Sequence, residues 1–398
     1  MPSLTYTAPY HWAMPAAHLR LSERNFRIAP ALVVLAWIAG FMVALFREEI
    51  LPSKFFNDAR WIESIARGQG SDDQSFAVVA WIYRSLGLIG HETLAGIIQY
   101  ALASLLIMTI VFRTSKTSSN ANSLCAAVAL MLSSVYLGGF SKDVFVLPIA
   151  YLACLTSRRR ASTLVLILTI IAYAAMFRTY WWGVLAFFIA VNLVFRRGGV
   201  TFSKWALTLI VSSSFASLAI EMTQGVPSST YRETINGGRY DSPDASTMIS
   251  PPLNLPEPFA SLLNPPIICL FLLVPIPLIS MGEVYYLVAA GSILLLWGTL
   301  LSRLWHESIP ETDVERIRGL ALLTAFVAVQ AVFEPDYGSA LRHLTPLLPV
   351  LLMVSASSPS PMDSDGVQTS SRSACGAGGS SRPLLAPSST GDSIRRSK

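Results

Sequence analysis

The chain has 398 residues, of which 53% are hydrophobic and only 13% are charged. A soluble globular domain usually carries about a quarter charged residues, so this composition excludes an ordinary soluble protein and indicates a polytopic membrane protein. The net charge of +5 resides in short basic clusters at the ends of apolar runs, as the positive-inside rule predicts, and indicates no nucleic-acid partner. The cysteine spacing predicts neither a disulfide framework nor a zinc site.

Positive charge before the first apolar run predicts how the chain enters the membrane. Residues 1–27 form a polar segment that ends in Arg20, Arg24 and Arg27, directly before an apolar run from about Ile28 to Phe46. The arginines predict a cytoplasmic N-terminal segment. The run is long enough to span a bilayer and has no cleavage site of small residues after it, so we expect a retained helix and no cleaved signal peptide.

The first outward loop mixes charged and aromatic side chains. Glu48, Glu49, Asp58, Arg60 and Glu63 are mixed there with Phe55, Phe56 and Trp61. This pattern is typical of an amphipathic helix that lies in the membrane interface. A solvated loop whose aromatic rings anchor it in the headgroup region fits equally well.

Two further charged motifs interrupt apolar sequence on the same predicted side. The first motif is Lys142 and Asp143, which follow one predicted span. The arginine triplet at 158–160 lies on the opposite side and marks the cytoplasmic end of the next span. Arg178 then lies among aromatic residues, including Tyr180. It either snorkels and stacks at the interface or binds an anionic substrate beside sugar-binding rings.

Three segments are harder to assign from the pattern alone. The longest predicted outward loop, about 221–264, holds Arg232 and Arg239 and many prolines; loops of this length are usually functional or disordered. The run at 76–90 is too short for a confident span. The proline-containing run at 265–280 predicts a half-inserted or re-entrant element.

The most concentrated charge lies between the last two apolar runs, in FEPDYGSALRHLTPLLP (333–349). Glu334, Asp336, Arg342 and His343 fall within this stretch, where proline and glycine interrupt the helix. The charges either pair with one another in a capped turn or form a substrate site. In the second case Arg342 holds a phosphate, and His343 or a carboxylate accepts a proton.

These elements together predict an all-α fold, a polytopic transmembrane helical bundle of about ten to twelve spans. The predicted transmembrane domain is 28–355, and a disordered, cytoplasmic tail rich in serine, glycine and proline follows at 356–398. The charged motifs all emerge on one predicted face. That arrangement favours an enzyme over a transporter, which more often places ionisable residues near the midplane.

The stretch at 333–349, together with FSKDVFVLPIAYLA (140–153) and MFRTYWW (176–182), resembles the Wzy or EpsG type of bacterial polysaccharide repeat-unit polymerase. The resemblance implies transfer of an undecaprenyl-diphosphate-linked glycan at the outer face of the cytoplasmic membrane, with the bilayer and other polysaccharide-assembly proteins as partners. Matched to the family's motifs, Arg178, Arg342 and His343 become site residues, with Lys142 and Asp143 beside them.

From the residues and the resemblance together we expect Asp58, Asp336 and His343 to be catalytic. The expected substrate-binding residues are Arg60, Lys142, Asp143, Arg178, Arg232, Arg239 and Arg342.

Two alternatives remain open. A glycosyltransferase of the GT-C kind, which uses a polyprenyl-phosphate sugar, resembles this chain in placing an acidic residue in the first outward loop, where Asp58 and Glu63 lie. A flippase or other transporter predicts polar residues within the spans and repeated halves, and neither is visible in the sequence. No metal or other cofactor is expected, because the donor's lipid-linked phosphate supplies the activation.

Overall fold

A computed structural model describes residues 28–71, 73–114, 119–155, 160–237 and 247–356. The N-terminal segment with its arginines, Arg158, Arg159, Arg239 and the serine-rich tail lie outside the described residues. Within the described ranges the chain is helical and contains no strand, which confirms the all-α class; two isolated backbone bridges join Val200 to Ile309 and Met248 to Asp336.

The longer helices are numbered with the short ones in chain order: α1 Ile28–Leu45, α2 Arg47–Ile50, α3 Asn57–Ala66, α4 Gln74–Ser85, α5 Glu92–Thr114, α6 Asn120–Leu137, α7 Leu147–Leu155, α8 Arg160–Met176, α9 Trp181–Arg196, α10 Phe202–Gln224, α11 Ser228–Gly237, α12 Phe259–Leu273, α13 Ile276–Ser280, α14 Val284–His306, α15 Val314–Phe333, α16 Tyr337–Leu344 and α17 Leu348–Ser355. Short 3-10 turns at Ser53–Phe56, Asp143–Val146 and Thr345–Leu347 complete the described elements.

Five of these helices, α5, α6, α10, α14 and α15, are long and apolar enough to cross a membrane. Shorter apolar segments lie at Pro30–Leu45, Asp143–Leu155, Ala161–Met176, Trp181–Arg196 and Phe259–Leu273. The described chain therefore has the helices of a membrane protein. The count of about ten to twelve spans stays a prediction.

Helix α15 forms the centre of the bundle because it is apolar on all sides. Its membrane-length window is 94% buried, and α9, α10, α12 and α17 pack around it. Asp313 caps its first turn by accepting from the backbone N–H of Arg316. Arg316 and Arg318 then donate to the Val354 and Ala153 carbonyls, each at 2.9 Å, and so satisfy the ends of α17 and α7.

The structure refines three sequence predictions. The first outward loop contains an amphipathic helix, α3, which buries Ala59, Ile62 and Ala66 on one face. The long loop includes a helix, α11. The proline-containing run is divided between two helices: α12 starts before the run and ends at Leu273, and the short helix α13 follows after a break at Val274 and Pro275. Asn264 stabilises the start of α12, because its amide both accepts from and donates to the backbone of Leu253, at 2.9 and 3.1 Å.

Candidate functional site

Segments far apart in sequence meet at one end of the central helices. α15 ends at Phe333, and Asp336 caps the next helix, α16, by accepting from the Ser339 N–H at 2.7 Å. The eight residues of α16 place Arg342 and His343 in its last turn. The first turn of α3, the turn at Asp143 and the turn at Arg178 pack against this segment.

Asp143 is the centre of a chain of ion pairs. Its side chain is only 2% exposed, and its Oδ1 lies 2.8 Å from Arg178 Nη2. Its Oδ2 lies 3.3 Å from Arg342 Nε. Arg342 Nη1 continues the chain to Asp58 Oδ2 at 2.9 Å, and both of these side chains are about one-third exposed. Arg342 therefore connects the buried carboxylate to one that faces open space.

His343 belongs to the same cluster but faces inward. Its Nδ1 lies 2.8 Å from Glu334 Oε2, and its Nε2 lies 3.8 Å from Asp143 Oδ1. Burial and the nearby Arg178 guanidinium lower the pKa of His343, so the imidazole is neutral at pH 7. The neutral ring donates its Nδ1 proton to Glu334 and leaves Nε2 without a proton.

Lys142 borders the cluster on the side of α4. Its Nζ lies 3.7 Å from the centroid of the Phe76 ring, a cation–π contact that holds the start of α4. Burial and the Arg178 charge lower the pKa of Lys142 to about 8. Its ammonium group is therefore protonated at neutral pH and adds to the positive charge around Asp143.

A cavity of about 330 Å³ opens beside the ion-pair chain. Its charged lining consists of Arg47, Lys54, Asp58, Asp336 and Arg342, and its aromatic wall consists of Phe55, Tyr136, Phe140, Tyr285, Tyr286 and Tyr337. The volume lies at the lower end of the range of small-molecule sites. Cations, carboxylates and rings on one wall suit a ligand that combines an anion with hydroxyl-bearing rings.

The chain matches no protein-family model, no curated protein and no solved structure. The geometry of the cavity therefore carries the functional argument.

The three cations of the cavity differ in how they are paired. Arg47 is buried and lies 2.8 Å from Glu92, and Arg342 binds two carboxylates. Lys54 packs over the Tyr285 ring at 4.4 Å and, within the described ranges, has no carboxylate within ion-pair distance. Lys54 is therefore the cation most available to an incoming anion.

The remaining predicted site residues lie in different surroundings. Asp336 lines the cavity, whereas Arg60 is exposed near the Phe56 ring and does not line it. Arg232 is buried outside the cavity and donates to the Ala331 and Glu334 carbonyls at the end of α15 and to the Ile249 carbonyl. These bonds give Arg232 a structural role in holding α11 against α15.

Sequence reasoning missed Arg47, Lys54 and the tyrosines at 136, 285 and 286. Lys54 and Phe55 lie in the first outward loop, and the tyrosine pair follows Val284, after a short polar break at Gly282 and Glu283. Aromatic residues beside a break in apolar sequence were the available signal. Among the described residues, no group of three or more His, Cys, Asp or Glu side chains is placed to hold a metal ion.

Proposed function

We propose that this protein polymerises lipid-linked oligosaccharide repeat units, as a glycosyltransferase-type enzyme at the outer face of the bacterial cytoplasmic membrane. One observation carries the proposal: charged residues from four separate segments, Asp58, Asp143, Arg178 and Arg342, form one ion-pair chain at a cavity with an aromatic wall. Ionisable residues inside an apolar helical protein are costly to bury and mark substrate and ion pathways, and a charged cluster beside a cleft is a candidate functional site.

The chemistry requires three groups that the cavity supplies. An acceptor hydroxyl oxygen attacks the anomeric carbon of the donor sugar, and the bond from that carbon to the lipid phosphate breaks. The phosphate keeps the bonding electrons, and Lys54 and Arg342 stabilise its developing charge. Asp58 takes the hydroxyl proton, because it lines the cavity whereas His343 does not, and because the other lining carboxylate, Asp336, caps α16 by accepting from the Ser339 N–H.

The buried residues act on the reaction through Arg342. Asp143 orients the guanidinium of Arg342 through its Oδ2, and Arg178 pairs with the other carboxylate oxygen, Oδ1, and so holds Asp143 in place. Glu334 in turn fixes the His343 ring at 2.8 Å. A rigid supporting set of this kind is what keeps a phosphate-binding arginine in place.

The proposed topology places both chain termini in the cytoplasm and the cavity on the outer side, with the shorter apolar helices as additional spans. The distribution of lysine and arginine supports this orientation. The bundle then has about ten to twelve spans.

A transferase that adds one sugar from a polyprenyl-phosphate donor is the second candidate. The position of Asp58 favours it, because this residue of the first loop lines the cavity and would serve as the base in such an enzyme. The two candidates share the cavity and differ in the product.

The glycans of a deletion strain in the native host test the proposal. The polymerase predicts single repeats on the lipid carrier and no long chains. Truncated repeats would indicate the single-sugar transferase, and repeats stranded on the inner leaflet would indicate a flippase. Complementation with Arg342→Ala should fail to restore long chains while the protein inserts normally; Arg84→Ala, an exposed arginine outside the cavity, is the matched control. Wild-type chain length with Arg342→Ala would refute the proposal.

A further inference from the structure

A narrow apolar cleft lies directly beside the polar cavity. Its volume is about 30 Å³, and Tyr337 and Leu341 line both spaces. Side chains from four helices, α12, α14, α15 and α16, form its walls, including Leu272, Ile293, Trp297, Phe326 and Leu344. The two spaces therefore meet at α16, one polar and one apolar.

Two polar side chains that line the cleft carry an unpartnered atom. Tyr337 and Gln330 are each 2% exposed, and within the described chain Tyr337 Oη and Gln330 Oε1 have no hydrogen-bond partner. Unpartnered buried polar atoms in a native fold call for a ligand or an ordered water. These two atoms are the fewest partners that a buried water uses, and the rest of the lining is mostly apolar, which favours an apolar ligand with one polar group at the junction.

We propose that the cleft receives the first units of the substrate's polyprenyl chain, and that the Tyr337 hydroxyl donates to the phosphate at the boundary between chain and glycan. This inference rests on the proposed function and specifies where its lipid lies. Charge and continuity support it: Lys54 and Arg342 attract the anionic head into the cavity, and the adjoining space suits a hydrocarbon.

The cleft must widen to admit the chain. At about 30 Å³ it has room for about one water-sized volume, so the side chains between α14 and α16 must move apart. Ala340, which is half-buried in the α16 wall, is the smallest of them. Ala340 lines the cleft and not the polar cavity, so we expect a larger side chain there to fill the cleft and leave the cations of the cavity in place.

Binding of defined probes to the full-length protein in phosphatidylcholine nanodiscs tests the cleft. We expect wild type to bind farnesyl diphosphate at least about tenfold more tightly than inorganic diphosphate, because the chain adds buried apolar area. Ala340→Phe should remove this advantage and leave inorganic diphosphate binding unchanged, which also shows that the variant is folded. Tyr337→Phe should weaken the binding of farnesyl diphosphate about tenfold, because the hydrogen bond from the tyrosine hydroxyl to the charged phosphate is lost. Gln330→Leu should bind farnesyl diphosphate as tightly as wild type or more tightly.

The outcomes separate the two proposals. If Ala340→Phe binds farnesyl diphosphate as wild type does, the cleft is not the chain site, although the proposed function stands. If phosphatidylglycerol competes as well as farnesyl diphosphate, the site does not select a prenyl phosphate and the inference is overturned. If neither diphosphate binds wild type, the proposed function fails and this inference fails with it.

Discussion

Replacing Asp143 by asparagine should destabilise the protein more than any other single change of charge in the cluster. Asp143 is 2% exposed and pairs with Arg178 at 2.8 Å and with Arg342 at 3.3 Å. Removing one partner of a buried pair costs about 3–5 kcal/mol, because the other charge stays buried. In the variant Arg342 still pairs with Asp58, so most of the lost stability comes from the Arg178 charge, which stays buried without its carboxylate partner. At roughly 2 °C per kcal/mol for a chain of this size, the melting temperature should fall by about 6–10 °C.

Thermal unfolding of the purified protein in detergent measures this effect. Asp73→Asn is the matched control, because Asp73 is an exposed helix cap and asparagine caps equally well. Adding Arg178→Gln to Asp143→Asn should recover part of the loss, with a coupling free energy of about 0.5–3 kcal/mol. If Asp143→Asn melts like wild type, or if the two losses simply add, the buried pair does not support the site as argued.

The other predictions concern single parts of the site. Lys54→Gln should weaken inorganic diphosphate binding about tenfold, because Lys54 is the cavity cation that no carboxylate neutralises. Calorimetry measures this change in affinity. Asp58→Asn should reduce polymer formation in cells by about 10²–10⁴-fold and yet tighten inorganic diphosphate binding to the purified protein. The folded-state pKa of His343 lies below its usual value of 6.5, so the unfolded chain binds a proton more readily and stability should fall as the pH drops below 6.5. Melting temperature measured against pH should show this fall, and the fall should be smaller in His343→Gln. Gly139→Ala should lower the melting temperature by an amount equivalent to about 1–3 kcal/mol, because the added methyl group overlaps the Arg47 guanidinium.

Breaks in the apolar pattern of the sequence indicate most of the candidate site. Asp58, Asp143, Arg178 and Arg342 each lie where apolar sequence is interrupted, and alternating topology predicts one shared face. The ion pairs among them agree with that expectation. Apolar periodicity and charge are sufficient to predict these four site residues, because a membrane limits where charged side chains can lie.

Local sequence could not distinguish Arg342 from Arg232. Both are arginines between apolar runs, but Arg232 donates to the carbonyl of Glu334, 102 positions away, whereas Arg342 reaches Asp58 at the cavity. Which partner an arginine finds depends on how distant segments pack. For the same reason Lys54 was missed, since the Tyr285 ring that supports it belongs to α14.

The opposite effects expected for Asp58→Asn follow from the charge balance of the cluster. Three carboxylates and three cations make it up, namely Asp58, Asp143, Glu334, Lys142, Arg178 and Arg342. Because the cluster is balanced, an anion that binds Arg342 must take the place of one of its carboxylates, whereas Lys54 lies outside the cluster and needs no such exchange.

Asp58 is the carboxylate that can be displaced. It is about one-third exposed, whereas Asp143 is 2% exposed. An ion pair as exposed as that of Asp58 with Arg342 contributes about 0.2–1 kcal/mol. Removing the competing charge should therefore tighten diphosphate binding by about 1.5- to 5-fold. The displaced Asp58 stays in the lining of the cavity without its arginine partner, so one exchange both binds the donor and releases the proton acceptor. Weaker diphosphate binding by Asp58→Asn would contradict this exchange.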